Sequence, residues 1–280
     1  MLSQDFEVLS RLVKAESGLT LTPDKAYLLE TRLLPLARKW KFDDLAQLTE
    51  SLRTRRDAAQ VREVTEAMTV NESFFFRDVK PFDLLREKLL PTLRVARTGK
   101  RLLRIWSAAS STGQEAYSIA MLLTECGAYS DGWTIDIIGT DLSTEIVERA
   151  DARVYSTFEV QRGLPAKLLV KYFTRAGEQW QVAESIRRKV RFARHNLLHD
   201  PALFGFFDIV FCRNVLIYFD AATKAKVLHM IRQRMPADGY LVLGGAETVM
   251  GISDSFAFVA ELPGVYVPSE PKAKSPSGTS

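Results

Sequence analysis

Residues 208–220 read DIVFCRNVLIYFD, and this stretch decides the fold. Ile209-Val210-Phe211 is a β-branched and aromatic run with no polar alternation, the pattern of a strand buried on both faces of a parallel sheet. It stops abruptly at Cys212-Arg213-Asn214, and a second apolar run follows. In open α/β sheets ligands sit beyond the carboxyl ends of the strands, so polar groups placed there are candidates for a site.

Working outward, the surrounding chain alternates strand and helix. Leu102–Ala108 is a predicted buried strand, Gln114–Cys126 a helix and Thr134–Gly139 a second strand running to Asp141. Ser143–Arg153 is a helix capped by Ser143, with Glu145 favoured in its first turn. Val190–Ala193, Ile209–Phe211 and Tyr240–Gly244 supply further strands, and Ala221–Arg234 a further helix. The end, FAFVAELPGVYVP, reads as two strands around the turn signal Pro263-Gly264. Such alternation implies a doubly wound α/β sheet. Within 154–194 the rhythm of Phe173, Trp180, Val182, Ile186, Val190 and Phe192 is partly two-residue, which suggests short inserted strands.

The first seventy residues are helical in pattern. Phe6, Leu9 and Val13 share a face, as do Leu29, Leu33, Leu36 and Trp40. Thr22-Pro23-Asp24 reads as a capped helix start, and Pro35 is expected to kink or divide the helix that follows. Further helices are expected over 43–55 and 58–69. The organisation expected is therefore a helical bundle over 1–70, a linker and cavity-lining segment over 71–99, an α/β domain over 100–268 with an insertion near 154–194, and a disordered tail over 269–280.

The 280 residues, 46% hydrophobic and 26% charged, are ordinary for a soluble protein. No apolar run approaches a membrane span, and MLSQDFEVLS lacks the basic start and apolar core of a secretory signal. The two cysteines, Cys126 and Cys212, fall in a predicted helix and at a strand end. Neither is expected in a disulfide, and together these features point to the cytoplasm. The net charge is +4, unevenly spread. Residues 1–70 balance, whereas 167–194 carry eight Lys/Arg against Glu178 and Glu184, a local excess of +6. That surface suits an acidic partner, protein or nucleic acid, or is simply a solvated face.

The turn after the first strand, Ser110-Ser111-Thr112-Gly113, is built of small residues that let backbone approach a ligand. It is not the G-x-G-x-x-G fingerprint, which argues against a nicotinamide dinucleotide. Asp141 ends the second strand 28 residues later, where a carboxylate can accept from both ribose hydroxyls of a nucleoside. Arg77, in NESFFFRD at 71–78, offers a fork of donors suited to a carboxylate, or a surface ion pair with Asp78 or Asp83. Phe74–Phe76 read as an apolar plug between the helical and sheet domains. His195, His199 and His229 lack metal-ligand spacing and are read as structural.

Three separated segments, NESFFFRD, WSAASSTGQEAYSIAM at 106–121 and CRNVLIYF at 212–219, resemble the CheR-type methyltransferases, which methylate glutamates of bacterial chemotaxis receptors with S-adenosylmethionine. The resemblance covers roughly residues 1–267. It implies a class I methyltransferase (Rossmann-like) sheet with a small antiparallel β-subdomain inserted and a helical bundle before it. It implies that Asn71, Ser73 and Arg77 line the cofactor and substrate cavity. Glu115 would contact the methionyl portion, Asn196 would read the adenine edge and Leu197 would pack on the ring. Arg213 and Asn214 would lie at the cofactor, and Tyr218 near the transferred methyl, with S-adenosylhomocysteine as product. The family usually has threonine where Ser73 stands, and Gly-Glu-Glu-Pro where this chain has Gly113-Gln114-Glu115-Ala116. Partners implied are methyl-accepting chemotaxis receptors, with neither nucleic acid nor membrane insertion.

Some members tether to a receptor C-terminal pentapeptide through a glycine-containing loop of the subdomain. TRAGEQWQVAESIRRKVRF at 174–192 is a few residues shorter and has only Gly177, so independence of the tether is expected. Docking would then use the basic subdomain with Arg32, Arg38 and Lys39. The rival readings are a nucleic-acid methyltransferase, which commonly carries Asn/Asp-Pro-Pro-Tyr where this chain has Cys212-Arg213-Asn214-Val215, and a non-catalytic cofactor-binding adaptor.

Overall fold

The structure, a computed structural model, describes residues 3–269. The expected disordered tail lies, but for Ser269, outside the described residues. The N-terminal bundle is α1 (Ser3–Ser17), α2 (Ala26–Lys39), α3 (Leu45–Thr54) and α4 (Ala58–Ala67). Each short helix has its start fixed by an aspartate. Asp44 accepts from Gln47 N at 2.9 Å, and Asp57 accepts from the amides of Ala59 and Gln60 at 2.9 and 3.0 Å. Leu9, Val13, Leu29 and Leu33 are fully buried.

Two local expectations are met only in part. The 22–24 signal yields a 3₁₀ turn over Pro23–Lys25 with no side-chain cap from Thr22, and α2 starts after it. Pro35 does not divide α2, which continues to Lys39 around it. The packed faces on both sides of the proline outweigh one missing backbone bond.

Half of the expected linker is also helical. α5 (Lys80–Leu84), a π-turn (Leu85–Leu89) and α6 (Leu90–Ala96) run end to end. Their face of Phe82, Leu85, Leu89, Leu90 and Leu93 is buried in the core. Then come β1 (Leu102–Ala108), α7 (Gln114–Glu125), β2 (Thr134–Asp141) and α8 (Thr144–Ala152). Ser143 caps α8 as read, its hydroxyl accepting from Ile146 N.

The inserted region holds β3 (Val154–Ser156), α9 (Thr157–Gln161), α10 (Ala166–Tyr172), β4 (Phe173–Ala176), β5 (Gln179–Val182) and α11 (Glu184–Arg187). The chain closes with β6 (Val190–Arg194), β7 (Ile209–Cys212), α12 (Ala221–Arg232), β8 (Tyr240–Leu243), β9 (Phe256–Phe258) and β10 (Val265–Pro268).

Seven strands form one sheet in the order β6-β2-β1-β7-β8-β10-β9, parallel except for the closing hairpin; β3-β5-β4 form a separate antiparallel sheet. The two-residue rhythm marks strands at Phe173, Trp180 and Val182, but Ile186 lies on α11, and Val190 and Phe192 belong to the main sheet. Alternation along the strands sends Ile105, Ile209, Phe211 and Val242 to one face and Trp106, Val210, Cys212 and Leu241 to the other. The second face carries α12 and the N-terminal bundle; the first carries α5 to α7 and the insertion.

Phe75 and Phe76 lie on that first side, so they are not a plug against the bundle. Phe75 meets Tyr155 and Phe173 of the insertion edge-on, and Phe76 meets Phe82. Phe74 stays half-buried, with Arg77 and Arg162 over its ring.

Candidate active site

Where β1, β2, β6 and β7 end, their loops enclose a cavity of about 900 Å³, counting the part open to solvent. The turn after β1 makes room for it by unusual backbone. Ala109 and Ser111 have positive φ (55° and 51°), as does Gly113 at 91°. The strain in the two non-glycine residues is offset by anchoring: Ser110 N donates to Thr140 O at 2.8 Å, Ser111 N to Asp141 Oδ2 at 2.9 Å, and Ser111 Oγ to Asn71 O at 2.8 Å. Gly139 is needed because a Cβ there would stand 2.5 Å from the Phe192 ring.

Every residue expected to serve cofactor or chemistry lines this one cavity: Asn71, Ser73, Arg77, Glu115, Asp141, Asn196, Leu197, Arg213, Asn214 and Tyr218. Asp141 is 6% exposed. Its burial raises the carboxyl pKa, against the pull of the Ser111, Ser143 and Leu142 amides. Its oxygens accept from Ser111 N and Ser143 N (2.9 and 3.3 Å), and each retains a further lone-pair site.

Glu115 accepts from Ser107 Oγ and from Arg213 Nη1, both at 2.8 Å. Arg213, its side chain 1% exposed, also pairs with Asp78 at 2.7 Å and donates to Arg77 O at 2.9 Å; its Nε is buried with no partner. Arg77 forms no ion pair among the described residues. Asp78 is taken by Arg213 and Asp83 by Arg86, so the expected surface pair is absent, and Arg77 Nη1 makes only a 3.2 Å bond to Glu72 O.

Asn196 is engaged within the fold. Its Nδ2 donates to Glu16 O at 2.6 Å and its Oδ1 accepts from Leu198 N at 3.0 Å, so the side chain already holds the helical bundle to the loop after β6. Arg32 is likewise spent inside, its Nη1 donating to Met68 O and Thr69 O (3.0 and 2.7 Å) at the C-terminal end of α4. Lys39 pairs with Glu63 at 2.8 Å. Arg38 is exposed and forms no ion pair among the described residues.

Sequence reasoning missed several contributors. Ser17 and Leu19, after α1, form part of the wall. His195 also lines it, its ring edge-on to Trp106 and Phe204, with burial pushing its pKa down to about 4. Glu247, on the loop after β8, holds the far side of the Arg213–Tyr218 segment. None lies in a motif, and only packing brings them in.

Residues 4–69 match the family model of the CheR methyltransferase all-alpha domain, and residues 71–264 that of the CheR methyltransferase SAM binding domain. The chain belongs to the CheR methyltransferase family. It is 38% identical over 265 residues to a chemotaxis protein methyltransferase of Vibrio parahaemolyticus, covering 94% of this chain and 95% of the relative. It is 39% identical over 267 residues to chemotaxis protein methyltransferase 1 of Pseudomonas aeruginosa, covering 93% and 96%.

As a CheR methyltransferase this chain is an S-adenosylmethionine-dependent enzyme. The cavity fits that cofactor: a buried carboxylate stands at the end of β2, an acidic side chain at the start of α7, and an apolar wall at Leu197, Leu19 and Val215. Among the described residues no cluster of His, Cys, Asp and Glu could hold a metal, and no helix is long and apolar enough to cross a membrane.

Proposed function

We propose that this enzyme transfers the methyl group of S-adenosylmethionine to glutamate side chains of chemotaxis receptors, forming methyl esters. The observation that carries this reading is Arg77. It is a guanidinium on the wall of the cofactor cavity, without an ion pair among the described residues, and an incoming carboxylate would complete it. A nucleic-acid amino group would gain nothing from that charge.

When bound, the cofactor supplies an electrophilic methyl on a sulfonium. In this reading Asp141 accepts from its ribose hydroxyls, Leu197 packs on the base, and Glu115 attracts the methionyl ammonium while Arg213 holds Glu115 in place. Asn71 and Ser73 bound the cavity beside Arg77. Asn214 and Tyr218 close it near the methyl. A glutamate has a reference pKa near 4.3, so at pH 7 all but roughly one in 500 is already ionised and no general base is required. Arg77 and Tyr218 would orient the carboxylate in line with the methyl. Such alignment can supply on the order of 7–11 kcal/mol. Opposite charges meet and cancel in the reaction, so excluding water favours it.

Two finer points belong to the same proposal. β4 and β5 are joined by only Gly177-Glu178, which supports independence of a receptor pentapeptide. Docking would then rest on the basic insertion and on Arg38 and Lys39, and should weaken as salt screens exposed charges. A cytoplasmic location is inferred, supported by Cys126 and Cys212, both free.

The test is incubation with receptor-bearing membranes and methyl-labelled cofactor. Alkali-labile label on receptor is expected, because carboxyl esters hydrolyse in base. Stable label on RNA or DNA, or cofactor binding without turnover, refutes the reading. Micromolar binding of the isolated pentapeptide refutes tether independence.

A further inference from the structure

The Arg213–Tyr218 segment is an irregular part of the cavity wall, and it is held by a side chain that does not line the cavity. After β7 the chain turns through Asn214 at φ 59°, a left-handed conformation, and then makes a 3₁₀ turn over Leu216–Tyr218. A segment of this shape turns its amides away from any ladder, and those amides need acceptors.

Glu247 supplies them. Oε2 accepts from Asn214 N at 2.7 Å and from Gly244 N at 2.8 Å; Oε1 accepts from Val215 N at 2.9 Å and Ile217 N at 3.3 Å. Four backbone N–H groups thus converge on one carboxylate that is 9% exposed and has no ion-pair partner among the described residues. Its charge is balanced by amide dipoles, an arrangement that normally cradles a bound anion. Here the anion is built into the chain.

A second observation is independent of these bonds. A Cβ at Gly244 would lie 2.7 Å from Glu247 Oε2 and 2.9–3.0 Å from Asn214 Nδ2 and N. The glycine leaves the space through which the carboxylate reaches the segment.

We infer that Glu247 is a positioning residue for methyl transfer: its carboxylate sets the backbone that carries Arg213, Asn214 and Tyr218. It acts through that backbone and touches neither cofactor nor substrate. Glu247→Gln is the informative change. The amide keeps the size but turns one acceptor oxygen into an NH₂ facing two N–H donors, so one pair of bonds becomes a repulsion. Asp141 stands on another element, and Glu115, on α7, keeps its bond from Ser107 Oγ when Arg213 shifts.

The inference rests on the methyl-transfer reading of the cavity, so the test has two arms. In the first, steady-state methylation of receptor is measured with product affinity by calorimetry. Glu247→Gln is expected to lower kcat on the order of 100-fold, the scale of an ångström of misplacement, with the affinity for S-adenosylhomocysteine within a few-fold of wild type. Glu247→Asp, which keeps the charge on a shorter stem, should fall between. Leu123→Ala, a core cavity about two turns beyond Glu115 on α7, is the control for lost stability and should keep its kcat.

In the second arm, which needs no substrate, hydrogen exchange is followed. The amides of 214–217 should lose protection in Glu247→Gln while β1 and β2 keep theirs. Wild-type kcat or unchanged protection at 214–217 overturns the inference, as does an equal kcat loss in Leu123→Ala. If the Gln variant does not fold, Glu247→Asp carries the test: reduced kcat with retained product affinity supports the inference, and wild-type kcat overturns it. Failure of the wild-type enzyme to methylate receptor would count against the proposed function and leave the exchange result to decide the clamp.

Discussion

Asp141→Asn separates binding from stability in a way few substitutions can. The carboxylate is 6% exposed, and in the proposed role it accepts from two ribose hydroxyls. It already accepts from Ser111 N at 2.9 Å and Ser143 N at 3.3 Å. Asparagine keeps the shape and one oxygen. That oxygen can stay on Ser111 N, the shorter bond, and the NH₂ then faces Ser143 N and one of the hydroxyls. Hydrogen bonds to a charged group contribute about 1.5–3 kcal/mol, so losing one weakens product binding about 10–150-fold.

Stability should respond in the opposite sense. Burial raises the pKa of Asp141 above its ordinary 3.8. A carboxyl with a raised folded-state pKa contributes stability that is present below 3.8 and lost as pH rises through the raised value. At neutral pH the cofactor-free wild type therefore carries the cost of a buried anion, and the variant does not. Calorimetry with S-adenosylhomocysteine, and thermal unfolding without it from pH 4 to 7, measure the two effects. The melting temperature of the variant relative to wild type should grow with pH while its affinity falls. Wild-type affinity in a folded variant refutes the ribose assignment. Lost affinity together with a lower melting temperature at pH 7 refutes the separation of roles.

Arg77→Ala should lower methyl transfer far more than it weakens cofactor binding, and Arg77→Lys should recover little, because the fork geometry is lost; kinetics with calorimetry on both variants checks this. His195 has its pKa pushed down from 6.5 to about 4 by burial, so its contribution is present above pH 6.5 and lost as pH falls toward 4. Urea unfolding at pH 7 and 4.5 should show a shallower acid loss in His195→Phe than in wild type. Gly163→Ala should destabilise the fold by about 1–3 kcal/mol, because φ is 87° and the new Cβ would stand 2.1 Å from Phe75 O. A melting temperature equal to wild type would show that this contact relaxes freely.

The sheet was legible because buried parallel strands announce themselves as apolar runs. β1, β2 and β7 lie where those runs lie, and Asp141 was found because it ends one of them. Ser143 was legible as a cap because capping is local chemistry. What could not be read depends on contacts distant in sequence. The helix through 80–96 carries Pro91 in its interior, which argues against it locally, and it forms because five apolar side chains reach the core. The side chain of Asn196 is committed to Glu16, which is 180 residues away in sequence, and Arg32 to the end of α4. Glu247 stands 30–33 residues from three of the four amides it binds and has no periodic or motif signal at all.

Those distant contacts change what the N-terminal bundle is for. Read from sequence it is a separate module beside a cofactor domain. In the structure Ser17 and Leu19 are cavity wall. Thr20 N donates to Tyr218 O at 2.9 Å, Leu19 and Phe219 form a β-bridge, and Lys14 pairs with Asp220 at 2.7 Å. Glu66 of α4 accepts from Ser143 Oγ and Thr144 N at the start of α8. The segment bearing Tyr218 is therefore held between the bundle on one side and Glu247 on the other. An exposed ion pair such as Lys14–Asp220 contributes little by itself. The backbone bond and the bridge fix register, and a shift of the bundle cannot leave Tyr218 where it is. Any partner that docks on the bundle thus acts on a surface continuous with the cavity, and the bundle supplies part of the cavity's wall.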